Sequence, residues 1–104
     1  MATRCTIKIE GVDYAKVYKH WDGYPEATLK WLEDFNRHFT KKRGFDDPQY
    51  KFAQLLRSSI RNAKTYELDV SDVTGWGVVP YDADYGQEYE YTLKDDGSVT
   101  YKEV

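Results

Sequence analysis

At 104 residues, with 40% hydrophobic and 32% charged side chains, the chain is long enough for one hydrophobic core without staples, and a single domain over 1–104 is expected. One cysteine excludes an intramolecular disulfide, no apolar run approaches the roughly 18 residues of a membrane span, and no charged-then-apolar signal segment opens the chain, so a reduced, cytoplasmic setting is the expectation. The formal charge of −3 hides an asymmetry, because residues 26–65 carry nine Lys and Arg against five Asp and Glu whereas 66–104 carry two against ten. Such runs are ordinarily solvated faces; the sharper reading is a field that steers partners or sets a head-to-tail contact.

From the start, Cys5, Ile7 and Ile9 alternate with Thr6, Lys8 and Glu10, the period of a half-buried strand. Tyr14 to Lys19 alternates as well. A three-residue loop, Gly11-Val12-Asp13, pairs Ile7 with Val17 and Cys5 with Lys19, keeping apolar residues on one face, whereas a two-residue loop mixes the faces. In that register neighbouring strand residues point to opposite sides, so the Cys5 thiol and the His20 ring lie across the sheet from one another and a Cys–His nucleophilic pair is not expected.

The period then changes. His20-Trp21-Asp22-Gly23-Tyr24-Pro25 forms the joint between strand and helix, with Pro25 suited to the first helical position and Glu26 to the positive helix end. A helix through Leu29, Leu32, Phe35 and Phe39 follows, with Trp31 on its flank. Lys41, Lys42 and Arg43 complement its C-terminal dipole, and Gly44 suits a left-handed stop with Phe45 folding back on Phe39. Asp47-Pro48 opens a second helix whose apolar stripe runs Phe52, Leu55, Leu56, Ser59, Ile60 and Ala63. Its other side carries Arg57, Arg61 and Lys64. Beyond it Tyr66, Leu68 and Val70 read as a strand, Gly75 to Pro80 as a short strand bounded by breakers, and Tyr89, Tyr91 and Leu93 face Val99 and Tyr101 across a three-residue Asp95-Asp96-Gly97 turn.

The expected fold is therefore α+β: a two-layer sandwich, with a mainly antiparallel sheet of four or five strands and two helices on one face, in the order ββααβββ or ββααββ. The other face is expected to be exposed. It would carry Lys8, Tyr14, Lys16, Tyr18 and His20 from the first hairpin and Glu88, Glu90, Thr92, Thr100 and Lys102 from the last.

The joint gathers an imidazole, a carboxylate and two large aromatics. Its plainer reading is structural: Asp22-Gly23 makes the turn, Trp21 and Tyr24 plug the junction, and His20 bonds a backbone carbonyl. Its functional reading is a binding surface of His20, Trp21, Asp22 and Tyr24 with Tyr14 and Tyr18 on the adjoining sheet face, since tyrosines and tryptophans are enriched where proteins meet partners. A hydrolase-type site with His20 and Asp22 as acid–base pair is the first alternative, although no nucleophile is placed beside it by spacing. A nucleic-acid interface through Lys41, Lys42, Arg43, Arg57, Arg61 and Lys64 is the second, and three cations on one stripe are few for phosphate binding.

No cofactor is expected. Asp82-Ala83-Asp84-Tyr85-Gly86 begins like a calcium loop, but Gln87 stands at its sixth position and Leu93 at its twelfth, and one Cys with two His gives no zinc pattern. Gly75-Trp76-Gly77 is a lone Gly-x-Gly with no helix after it, not a phosphate cradle.

Thr3-Arg4-Cys5 at the first strand, the six-residue block from His20 to Pro25 and the late Glu88-Tyr89-Glu90-Tyr91 strand together resemble a group of small uncharacterised proteins of microbial genomes and of phages or prophages. The resemblance implies cytoplasmic life and a mobile-element context, and it carries over no catalytic residue. Composition, motifs and resemblance converge on a small non-catalytic interaction module, monomeric or a weak dimer, that binds a protein or a small ligand at the His20–Tyr24 joint.

Overall fold

The computed structural model describes residues 3–43, 47–62 and 75–104, with the backbone alone for 59–62. The chain runs β1 (Cys5–Ile9), β2 (Ala15–Lys19), α1 (Pro25–Arg43), α2 (Pro48–Asn62), β3 (Trp76–Pro80), β4 (Tyr89–Leu93) and β5 (Val99–Glu103). The strands form one five-stranded sheet in the order β3-β2-β1-β4-β5. Every pairing is antiparallel except β1 with β4, which is parallel.

Both hairpins take the register that keeps one face apolar. Ile7 sits opposite Val17 and Cys5 opposite Lys19, while Leu93 faces Val99 and Tyr91 faces Tyr101. Gly11 and Gly97 adopt φ of +98° and +95°, which is why glycine stands at each turn. The first is closed by Val12 N donating to Ile9 O at 2.9 Å, the second by Gly97 N donating to Lys94 O at 3.2 Å. The expected Tyr66–Val70 strand, the Gly44–Phe45 helix stop, Ala63 and the side chains of Ser59 and Ile60 lie outside the described residues.

Odd-numbered residues build the core. Cys5, Ile7, Ile9, Val17, Tyr91 and Leu93 cluster with Val12, Leu32 of α1 and Leu55 of α2, all fully or almost fully buried. Two polar residues share the buried stripe of α1. Asn36 donates through Nδ2 to Lys94 O at 3.0 Å and Ser98 O at 2.7 Å, so this helix is tied to the β4–β5 turn by hydrogen bonds as well as by packing. Thr28, equally buried, donates to Asp22 O at 2.6 Å.

The second face departs from the expectation of an open surface. Lys16 is 2% exposed and Glu90 8%, and Thr6 is fully buried. The cause lies in the topology, because β3 and β4 run parallel to β1 on opposite sides of it, so residues 81–88 must cross the sheet to join them. This strap is anchored by Tyr81 N on Tyr14 O at 3.3 Å and by Glu88 N on Arg4 O at 2.9 Å. Beneath it Glu90 accepts from Thr6 Oγ1 at 3.0 Å and Lys16 Nζ at 3.3 Å, and pairs with Lys8 Nζ at 3.2 Å and Lys102 Nζ at 3.7 Å. Burial pushes the Glu90 carboxyl up, but hydrogen bonds from Lys8 and Thr6 with the charges of Lys8 and Lys16 outweigh it and hold the group below the usual glutamate value.

Candidate functional site

The joint between β2 and α1 is held by its backbone. Asp22 takes the left-handed conformation with φ +56°, tolerable for aspartate, and this turns the chain sharply into the helix. Gly23 N donates to Thr3 O at 2.8 Å, and a Cβ at Gly23 would lie 2.7 Å from that of Cys5 and 2.9 Å from two backbone atoms, so only glycine fits this approach. The Lys19 ammonium folds into the turn and donates to Trp21 O at 2.8 Å, Asp22 O at 2.9 Å and Thr28 Oγ1 at 3.4 Å. Burial lowers the pKa of Lys19 even though the nearby Cys5 and Asp22 groups favour its charge. From the core side, Tyr91 OH donates to Gly23 O at 2.6 Å. Tyr24 O receives Ala27 N and Thr28 N, each at 3.1 Å, and starts α1 at Pro25.

With the backbone so occupied, the side chains are left to face outward. His20 Nδ1 and the Tyr18 hydroxyl lie 2.7 Å apart. The His20 ring meets the Trp21 ring edge-on, centroids 4.9 Å apart, and the Tyr18 ring lies 6.0 Å from that of His20. Tyr85 of the strap continues the series 5.8 Å from Tyr18. Four rings thus form a row, Trp21–His20–Tyr18–Tyr85, in tilted and edge-on contacts that aromatic pairs favour. Both ends of the row are 46% exposed.

Glycine sets one end. Gly75 accepts from His20 N at 2.8 Å, has φ +78°, and a Cβ there would come within 2.4 Å of the Trp21 ring, so the indole rests against bare backbone. The strap sets the other. Tyr85 O accepts from Arg4 Nη1 at 3.3 Å, Tyr85 N donates to Gln87 Oε1 at 2.9 Å, and Gly86 N donates to Asp84 Oδ1 at 2.9 Å.

The expected binding residues divide into groups. Tyr18, His20 and Trp21 come together in the row. Tyr24 is 38% exposed at the start of α1, and Asp22, next to Trp21 in the chain, is exposed as well. Tyr14, 62% exposed, stands at the opposite end of β2, where the strap departs, and belongs to a different part of the surface. Tyr85 had no signal in the periodicity of the chain; it reaches the row because the connection 81–88 crosses β2 and β1, which only the strand order reveals.

For acid–base chemistry, His20 makes its ring hydrogen bond with Tyr18, whereas the Asp22 group that accepts hydrogen bonds is its backbone carbonyl. Cys5 is fully buried in the core on the helix side of the sheet, and burial pushes its thiol up to about 12, against a small opposing effect of Lys19, so it is no nucleophile at neutral pH. Among the described residues no three His, Cys, Asp or Glu side chains gather as a metal site, and no helix is long and apolar enough to cross a membrane. Of the basic residues, Lys41, Lys42, Arg43 and Arg57 are exposed on the helices. Arg43 is already paired with Asp47 at 3.0 Å and stacked 4.8 Å over the Tyr50 ring. Lys64 and the side chain of Arg61 lie outside the described residues.

Comparison with protein-family models, with curated proteins and with solved structures finds no match for this chain, so the geometry of the site carries the functional reading.

Proposed function

We propose that the protein is a non-catalytic interaction module whose contact surface is the row Trp21–His20–Tyr18–Tyr85. The observation that carries this reading is a continuous run of four rings with both ends half open to solvent, held by a turn, a glycine and a strap that spend their hydrogen bonds on positioning it. Large aromatic side chains on a rigid support are the groups that anchor protein interfaces, because they bury much area at the cost of few torsions. An acid–base enzyme built on His20 and Asp22 is the less economical reading, since the imidazole is engaged by Tyr18 and the Cys5 thiol is buried in the core.

The test is affinity capture from a lysate of the native host with the wild-type protein beside a Trp21→Ala/Tyr85→Ala variant of matched thermal stability. A specific partner retained by the first and lost by the second is the expected result. An identical set of captured proteins would contradict the reading, and so would turnover of a substrate that is abolished by His20→Ala.

A further inference from the structure

The chemistry around the row defines its partner more narrowly, in an inference that rests on the surface proposed above. We infer that the row takes an extended peptide segment bearing arginine or lysine. Two exposed acidic residues flank the row, Asp22 next to Trp21 in the chain and Glu88, whose N–H is held by Arg4 O near the Tyr85 end of the strap; neither forms a salt bridge with a described residue, although the charge of Asp22 also favours the Lys19 ammonium. Asp84, also exposed and next to Tyr85 in the chain, accepts from Gly86 N through one oxygen. Among the described residues two cations border this surface, Arg4, directed at Tyr85 O, and the Lys19 ammonium, which spends its donors on Trp21 O, Asp22 O and Thr28 Oγ1. Half-exposed rings flanked in the chain by acidic residues are a combination that attracts a guanidinium or an ammonium, the ring through its quadrupole and the carboxylate through its charge.

The molecule already uses this chemistry inside itself. Lys8 Nζ sits 4.2 Å over the ring of Tyr81, the first tyrosine of the strap, and Arg43 lies over Tyr50. Tyr85, the second tyrosine of the strap, has no such internal cation over it among the described residues, and its ring is 46% exposed. The same carboxylates decide against nucleic acid. Stacked bases would suit the rings, but their phosphates would approach Asp22, Asp84 and Glu88, and like charges brought together at a contact are strongly disfavoured. Three ring-to-ring steps of 4.9, 6.0 and 5.8 Å match the reach of about five extended residues, a length that a short linear segment supplies.

The experiment titrates the isotopically labelled protein with three probes: a short peptide of alternating Arg and Pro, the same peptide with Glu for Arg, and oligothymidylate. The Trp21 indole N–H and the backbone amides of 18–21 and 81–87 report binding. The Arg–Pro peptide is expected to shift these signals saturably, with affinity reduced roughly fivefold by Tyr85→Ala. A similar loss is expected for the Asp22→Asn/Glu88→Gln variant, which keeps the rings and the fold and removes charge alone. Absence of a shift with the Arg–Pro peptide, equal binding of the Glu peptide, preferential binding of oligothymidylate, or unaltered affinity in Asp22→Asn/Glu88→Gln would each overturn the inference. If lysate capture still depends on Trp21 and Tyr85 while the Arg–Pro peptide fails, the surface stands and its cationic specificity falls.

Discussion

The two faces of the sheet are buried by different forces. Toward the helices, Ile7, Val17, Leu32, Leu55 and Leu93 fill an apolar cluster whose mutual contacts do not depend on direction. Under the strap, Thr6, Lys16 and Lys8 converge on a single carboxylate, and the burial of one charge is tolerable only because the others are in place. The first face degrades by degrees when a side chain is trimmed. The second is a cluster whose members are interdependent, and it adjoins the aromatic row in the sheet, where Thr6 pairs with Tyr18.

Variants that act on one face at a time sharpen this contrast. The largest expected effect is on the apolar face, where Leu32→Ala opens a cavity at a fully buried position and should cost about 3 to 4 kcal/mol in a denaturant melt, leaving the Trp21 indole signal in place. On the polar face, Glu90→Leu alone strands the Lys16 ammonium and should cost about 3 kcal/mol. The double variant Lys16→Leu/Glu90→Leu should recover most of that loss, to within about 1 kcal/mol of wild type. If the double variant is no better than the single one, the two residues are not coupled and the contrast between the faces collapses.

Acid gives a related effect without mutation. Because the Glu90 carboxyl is held below the ordinary value, its contribution is complete above about pH 4.3 and is lost as the pH falls through the lowered folded value. The melting temperature should therefore decline more steeply below that pH in the wild-type protein than in Lys16→Leu/Glu90→Leu; parallel acid limbs would contradict the assignment. A smaller stability effect than that of either single substitution belongs to the row itself, where Trp21→Ala, at a site a little over half buried, should cost about 1 kcal/mol while removing partner binding.

What the amino-acid pattern revealed follows the same division. Both hairpin registers and both helix starts were legible, because alternation against a buried face admits one pairing and because Gly11, Gly97, Pro25 and Pro48 act locally. The covered second face was not, since Lys8, Lys16 and Glu90 read as solvent-facing until the β3–β4 connection is known to cross them. Asn36 was hidden for a similar reason, its partners Lys94 and Ser98 being far along the chain. At the site, Tyr18, His20 and Trp21 were recognisable because they are consecutive or alternate on one strand. Tyr85 joins them only through the path of the strap, and Tyr14 shares their face of the sheet but sits at the other end of β2.

The central claim, that this row is where a partner sits, is tested most directly by amide hydrogen exchange on the protein alone and in complex with a captured partner. Protection gained at 18–21 and 81–87, with the exposed faces of α1 and α2 unchanged, is the predicted result. Protection confined to the basic ends of the helices around Lys41 to Arg43 and Arg57, with the row exchanging as in the free protein, would contradict it.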